Sequence, residues 1–301
     1  MLYNFLKNIS KLIRFKKIFS REPGDYMPNS SSSKVGVYVD VVNMYRNGGQ
    51  RMRYDVLREF ACRDMAEPLR LNAYVSYDAE RAGQDHVYKE GINSFHSALR
   101  DLGFKVIVKE IRWYQDESGN RYGKADADLD LAVDAMVQSQ HLDKVLIASG
   151  DGDFVRLVQA LQNRGCRVEV VGLSNVSRAL REEADLYVSG FLIPNLIPIE
   201  QDQQVNWGDV GSRTRGWCYW HHASQSFGFL RFMKTINNNL WLTDTRNPLS
   251  PFGTAFFHDS ELPYDRISAN QLPSRNLIFE FELTESERGL QAVDIQLISR
   301  L

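Results

Sequence analysis

Three short acidic segments carry the residue types that bind hard cations. Asp40 stands in Asp40-Val-Val-Asn43 at the end of an apolar run, and Asp151 and Asp153 stand in Ser149-Gly-Asp-Gly-Asp-Phe154 directly after another. The third segment is Lys124-Ala-Asp-Ala-Asp-Leu-Asp-Leu-Ala-Val-Asp134, which offers Asp126, Asp128, Asp130 and Asp134. Carboxylates gathered with few basic side chains between them repel one another unless a divalent cation neutralises them, and hard oxygen ligands select Mg2+ or Mn2+ over zinc. Such an ion can activate water and neutralise the charge that builds on phosphate during phosphodiester cleavage. Any one of these aspartates alone can instead cap a helix. Asp130 and Asp134, four apart, can form a solvated helix face. Three acidic groups arriving together at strand ends are harder to explain as caps. Arg46, Arg51 and Arg53 follow the first group, and Trp113, Tyr114, Arg121, Tyr122 and Lys124 precede the middle one. Basic and aromatic residues beside a metal rim suit phosphate contact and base stacking, although an ordinary solvated loop has a similar composition.

A second chemistry lies further along the chain. Alternate residues of a strand share a face, so Ser226-Phe-Gly-Phe-Leu230 sets Phe227 and Phe229 side by side, with Gly228 leaving the opposite face open. Ala255-Phe-Phe-His258 likewise places Phe256 and His258 together, and Trp220 ends a neighbouring run. A patch of rings on a sheet is a stacking platform for single strands, each stacked base being worth about 1–3 kcal/mol. Phe is more often buried, and the alternative is that half of these rings fill a core. Arg213, Arg215, Arg231 and Lys234 are the cations nearby for phosphate. His221-His222 is set aside as a metal pair, because adjacent strand residues point to opposite faces.

The elements that must position these residues are legible from periodicity. Strands are expected at Val35–Asp40, Leu71–Tyr77, Val106–Ile111, Val145–Ser149, Arg167–Gly172 and Leu186–Ser189. Helices are expected at Tyr54–Met65, Asn93–Leu102, 129–140, 153–164 and Ser177–Ala184, with Gly103 and Gly165 as C-terminal stops. This alternation predicts a parallel sheet with helices on both faces, where ligands sit at the carboxyl ends of strands. After a polar linker at 198–212, short β-rich runs (Trp217–Trp220, Phe227–Met233, Leu240–Leu242, Ala255–His258, Leu277–Leu283 and Val293–Ile298) suggest a small barrel.

Residues 1–33 differ from the rest, with six Lys or Arg against two acidic residues. Leu2, Phe5, Leu6, Ile9, Leu12 and Ile13 fall at helical spacing among those cations, as in a basic amphipathic helix that can lie on an anionic membrane or dock on a protein through residues 1–20. The 301 residues carry a formal charge of −2, so nucleic-acid affinity must come from local patches. Cys62, Cys166 and Cys218 have no close pairing, which argues against a zinc site or a disulfide framework and for a reducing cytoplasm, with the tail allowing a peripheral membrane location. His86, His96 and His141 lack metal spacing. The expected division is a tail at 1–33, an α/β domain at 34–197, a linker at 198–212 and a barrel at 213–301.

The order Asp40-x-x-Asn43, Asp128-x-Asp-Leu-Ala-Val-Asp134 and Ser149-Gly-Asp-Gly-Asp-Phe154 resembles the NYN-domain proteins, PIN-like nucleases, and in particular their LabA-type branch, from about Lys34 to Leu192. That resemblance implies a PIN-like three-layer α/β/α fold and metal-dependent ribonuclease chemistry. Carried over residue by residue, it implies that Asp40, Asp128, Asp151 and Asp153 hold Mg2+ or Mn2+. Asn43 and Ser149 would orient ligands or the scissile phosphate. The middle segment has more carboxylates than the pattern needs; Asp128 is favoured, then Asp134. Gly216-Trp-Cys-Tyr-Trp220, Gln225-Ser-Phe-Gly-Phe-Leu230 and Ala255-Phe-Phe-His258 resemble the cold-shock branch of the OB-fold over about 213–299. This implies single-stranded RNA or DNA binding by Trp220, Phe227, Phe229, Phe256 and His258. The expectation is a metal-dependent ribonuclease for single-stranded RNA with an attached strand-binding barrel. The alternatives are a non-catalytic RNA-binding regulator and a nuclease directed at single-stranded DNA.

Overall fold

A computed structural model describes residues 32–301, apart from Asp64, Glu117, Asp126, residues 201–204 and Arg288. The amphipathic helix expected near the N-terminus and the candidate Asp126 therefore lie outside the described residues. Eight strands form first: β1 (Lys34–Asp40), β2 (Glu67–Tyr77), β3 (Lys105–Glu110), β4 (Arg112–Gln115), β5 (Arg121–Lys124), β6 (Lys144–Ala148), β7 (Arg167–Gly172) and β8 (Leu186–Ser189). Six of them make one sheet in the order β3-β2-β1-β6-β7-β8, parallel throughout. Seven α-helices connect them: α1 (Val41–Arg46), α2 (Tyr54–Ala61), α3 (Ala79–Gln84), α4 (His86–Asp101), α5 (Ala127–Gln138), α6 (Val155–Asn163) and α7 (Arg178–Glu183).

Strand alternation splits the apolar residues into two layers. Val35, Val37, Val39, Leu146 and Ala148 face Leu57, Phe60 and Leu99 of α2 and α4. Tyr38, Val145, Ile147, Val168 and Val170 face Leu131, Leu157, Leu161 and Leu180 of α5, α6 and α7. A sheet buried on both faces needs apolar side chains at nearly every position, as the runs Val-Gly-Val-Tyr-Val and Val-Leu-Ile-Ala provide. Gly103 and Gly165 adopt φ of +91° and +87°, the left-handed stops expected after their helices. The polar loop expected around Trp113–Tyr122 is instead the antiparallel hairpin β4–β5, held by Tyr114 stacked on Tyr122 at 5.8 Å and Arg121 over the Trp113 ring.

The C-terminal strands β9 (Arg213–His222), β10 (Phe227–Met233), β11 (Phe252–His258), β12 (Ser274–Ser286) and β13 (Gly289–Arg300) close a barrel in the order β10-β11-β13-β12-β9. Its neighbours are antiparallel except β11 with β13. The expected strand Leu240–Leu242 is not formed; these residues lie in the turn-rich connection between β10 and β11. Leu240 is buried because it joins the core beneath the barrel, a role that needs no strand partner.

That core is continuous between the two parts. Trp217, Met233, Leu240, Phe252 and Ile278 of the barrel pack into the same apolar cluster as Phe191, Leu192, Ile193, Leu196 and Ile197. Arg215 seals it: its Nη1 donates to the Ile197 carbonyl at 2.9 Å, and its Nε pairs with Glu280 at 2.9 Å in a largely buried setting. Arg213 pairs with Glu280 and Asp294. Both arginines, expected as phosphate contacts, are thus committed within the protein. Among the described residues no helix is long and apolar enough to cross a membrane.

Gly228 does not leave an open face. A Cβ there would lie 2.6 Å from a Phe257 ring carbon and 2.8 Å from the Trp220 carbonyl oxygen, because Phe257 fills the barrel interior across it. Gly228→Ala should therefore destabilise the chain by about 1–3 kcal/mol, the usual cost of overpacking a filled core. Denaturant unfolding measures this, and unchanged stability would show that the barrel interior has spare room.

Candidate active site and nucleic-acid interface

The sheet order contains a reversal. From β1 the chain runs outward to β2 and β3, then returns to place β6 on the other side of β1. The loops after β1 and β6 meet there at the strand carboxyl ends, the place where the crevice of an open α/β sheet binds ligands. Asp40 ends β1, and Ser149-Gly-Asp-Gly-Asp follows β6.

Asp40 is buried and caps α1, its Oδ1 accepting from the Asn43 amide at 3.0 Å. Its Oδ2 accepts from the Ser149 hydroxyl at 3.1 Å. Ser149 is fully buried, and its oxygen also accepts from the Asp151 amide at 3.2 Å, so one hydroxyl ties the two acidic loops together. The Asn43 side-chain oxygen accepts from the Gly150 amide at 2.9 Å and from Asn47 Nδ2 at 3.2 Å. Asp151 caps the single 3-10 turn Gly152–Phe154, accepting from the Asp153 amide at 3.0 Å. Both capping roles are thus real, and each uses only part of a carboxylate. Asp153 is exposed beside them.

A third loop closes on the same crevice. A Cβ on Gly150 would lie 3.2 Å from Val176 Cα, and one on Gly152 would lie 2.8 Å from Ser177 Oγ. The two glycines are what let the loop after β7 approach. Ser177 N–H donates to the Gly150 carbonyl, and Ser174 N–H to that of Asn47.

Electrostatically the crevice is an uncompensated acidic site. Burial pushes the Asp40 carboxyl above the usual aspartate range, and the Asp151 charge pushes it further, against the hydrogen bonds from Asn43 and Ser149. Among the described residues neither Asp40, Asp151 nor Asp153 has an ion pair with a Lys or Arg. Burial and, secondarily, the Asp40 charge raise the Tyr54 phenol well above its ordinary value, so it stays neutral.

The residues of the middle acidic segment are placed differently. Asp134 accepts from the Tyr74 hydroxyl at 2.9 Å, and Asp130 pairs with Lys109 Nζ at 2.8 Å. Asp128 is exposed in the first turn of α5, and Lys124 ends β5 opposite Arg112. Among the described residues no group of three or more His, Cys, Asp or Glu side chains forms a metal cage. Arg51 and Arg53 pair with Glu200 and Asp55, Arg121 with Glu80, and Arg46 is exposed on α1.

On the barrel the expected rings form one cluster on the outer face. Trp220 lies 5.4 Å from Phe227 and 5.7 Å from Phe229, while Phe256 lies 5.6 and 5.8 Å from the same two rings. Phe227, Phe229 and Phe256 are half-buried and Trp220 is 40% exposed, so ring faces remain open to solvent. His258 is exposed beside them, paired in register with Phe227. His221 and His222 do point oppositely: His221 bonds Asp259 at 2.8 Å inside the barrel, and His222 stacks on Phe227 outside. One further ring, Tyr219, was not expected, and Arg231, expected as a phosphate contact, lies on it. A register shift opposite Phe229 and Leu230 leaves Tyr219 as an extra residue in β9, so Tyr219 and Trp220 both approach Phe229. Arg231 stacks 4.0 Å over the Tyr219 ring. Period-two reading puts Tyr219 and Trp220 on opposite faces, and no residue type in the sequence announces the bulge.

Sheet order, crevice and barrel define a PIN-like α/β domain followed by an OB-like barrel. Residues 34–193 match the NYN domain, a PIN-like nuclease family, and the chain belongs to that family. Over 163 residues it is 31% identical to the low amplitude and bright protein LabA of Synechococcus elongatus, a match covering 52% of this chain and 83% of LabA. A solved structure of a protein of unknown function from Vibrio parahaemolyticus is 28% identical, with a TM-score of 0.43, covering 54% of this chain and 96% of that one.

The raised Asp40 sets a pH signature. Its folded form keeps a proton that an unfolded aspartate gives up near pH 4, so this group's contribution to stability is full below that pH and is lost as pH rises through the folded value. Asp40→Asn lacks this loss. The unfolding free energy of Asp40→Asn minus that of wild type should rise with pH from about pH 4 and then level off, in urea series run in EDTA. A pH-independent difference would show that burial does not hold the proton on Asp40.

Proposed function

We propose that this protein is a metal-dependent ribonuclease that hydrolyses single-stranded RNA, with the barrel holding the unpaired strand. The observation that carries the reading is the pairing of Asp40 with Asp151 at the sheet's reversal point without a cation among the described residues. These residues suit Mg2+ or Mn2+: Asp40 is buried and short of positive charge, and Mg2+ is commonly held by one or two carboxylates plus substrate phosphate rather than by a protein cage. Asp40 and Asp151 would hold the ion, with Asp153 and Asp128 at the open side and Asp134 the next candidate. The ion supplies Lewis acidity at the scissile phosphate.

The chain's own groups do the positioning. Ser149 and Asn43 lock the two acidic loops at fixed separation, so the carboxylates need not reorganise when a phosphate arrives. Trp220, Phe227, Phe229 and Phe256 offer ring faces to unstacked bases, and His258 adds a polar edge. Stacking tolerates any base, so weak sequence preference is expected, and single-stranded DNA is the secondary substrate because stacking does not use a 2′-hydroxyl. A non-catalytic RNA-binding regulator is the second reading, favoured by the engagement of Asp130 with Lys109 and of Asp134 with Tyr74.

Cleavage of labelled single-stranded RNA with Mn2+, Mg2+ or EDTA separates the two. Wild type should cut only with metal, and Asp40→Asn/Asp151→Asn should fall to the EDTA level. Mn2+ at about 100 times its dissociation constant should also stabilise wild type by about 2.7 kcal/mol, and not the double variant. Intact RNA with every metal would assign the protein to binding alone. Phe229→Ala should weaken RNA binding by about 1–3 kcal/mol in either case; unaltered affinity would remove the platform from the reading.

A further inference from the structure

The aromatic platform does not end at Phe229. The bulge in β9 carries Tyr219 outward at 6.4 Å from the Phe229 ring, and the Arg231 guanidinium lies over the far side of the cluster on Tyr219. Beyond Tyr219 a groove of about 240 Å³ is lined by Cys218, Tyr219, Arg231, Pro273, Ser274 and Arg275. None of these is acidic. Arg231 Nε is buried and makes no hydrogen bond among the described residues, and Arg275 is exposed with no ion pair there. The two guanidiniums are close enough to repel, which, after burial, helps hold Arg231 below its usual value. Asp244, the acidic side chain acting on Arg231, is itself held by two hydrogen bonds from the Arg246 guanidinium at 2.9 and 2.7 Å. Two like charges beside a tyrosine face and a serine hydroxyl form a site for an anion attached to a planar group.

Asn276 Oδ1 accepts from Arg181 of α7 at 3.2 Å, and Ser299 bonds Ser174, in the loop whose Val176 and Ser177 close on Gly150 and Gly152. The residue that follows the groove lining thus touches α7, and the neighbouring strand touches the loop that borders the acidic site.

We propose that Tyr219, Arg231, Ser274 and Arg275 form a nucleotide subsite that takes the backbone phosphate and the adjoining base of a single strand leaving the platform, and so steers it to the crevice. This rests on the platform reading given above. A phosphate oxygen accepts from the two guanidiniums and the Ser274 hydroxyl, while the base stacks on the Tyr219 face left open by Arg231 or displaces the Arg231 stack.

Binding of a fluorescent 12-nucleotide uridine RNA to the full chain, titrated across salt concentrations, tests this. Arg275→Ala, exposed and unpaired, should fold normally, lose roughly three- to tenfold in affinity at low salt and shrink the log–log salt slope by about 0.7, one phosphate contact on a single strand. Arg231→Lys keeps the charge and should retain the slope while losing affinity, since an ammonium neither stacks nor forks as a guanidinium does. Wild-type affinity and slope in both variants, with Phe229→Ala still weakened, would overturn the subsite and leave the platform standing. Wild-type behaviour in all three would overturn the platform and the subsite with it.

Discussion

Two carboxylates cannot share a crevice in a protein unless something holds them there, and here a buried hydroxyl does it. Ser149 donates to Asp40 and accepts from the Asp151 amide, so the loop after β6 cannot swing away from the end of β1 without breaking both bonds. Asn43 repeats the tie through Gly150, and Gly150 and Gly152 clear space for the third loop. The acidic charge is thereby concentrated where the sheet reverses direction, and desolvation keeps Asp40 above its ordinary value. The juxtaposition is electrostatically unfavourable, and the Ser149 and Asn43 bonds hold it in place.

The barrel is fastened to this frame rather than tethered. Arg215, buried between Glu280, the Ile197 carbonyl and the Phe191 ring, closes an apolar seam shared by Trp217, Phe252 and Leu192. Burying a guanidinium is costly unless its donors are met, and once they are met the geometry is specific. The seam holds the ends of β12 and β13 against α7 and the loop after β7. The orientation of the outer rings to the acidic site is therefore set by packing.

The two arginines in the seam also show how charge in a sequence is divided. Arg213 and Arg215 look like any surface cations in the chain, but Glu280 and Asp294, more than sixty residues away, claim them. Arg231 and Arg275 line the groove with no acidic residue beside them in its lining, and Asp244, which acts on Arg231, is held by Arg246. The barrel region's equal numbers of acidic and basic residues conceal this sorting, so a net charge near zero does not mean a neutral surface.

Local pattern carried the sheet strands of the α/β part, its longer helices, the glycine stops and the ends of β1 and β6, because burial on both faces demands continuous apolar runs and helices demand their own period. It also carried the platform rings, since alternation in a strand is a property of the backbone. Asp40, Asn43, Ser149, Asp151 and Asp153 were legible as a group because they sit within a few residues of strand ends. The short helices α1 and α3, the hairpin β4–β5 and the connection around Leu240 were not, being too brief to show a period. The engagement of Asp130 and Asp134 of α5 was decided by Lys109 and Tyr74 on neighbouring strands. The placement of Tyr219 beside Phe229 was decided by a one-residue bulge against β10, and the filling of the Gly228 face by Phe257 from β11. These are contacts between segments far apart in the chain, and only closure of the sheet and the barrel brings them within reach.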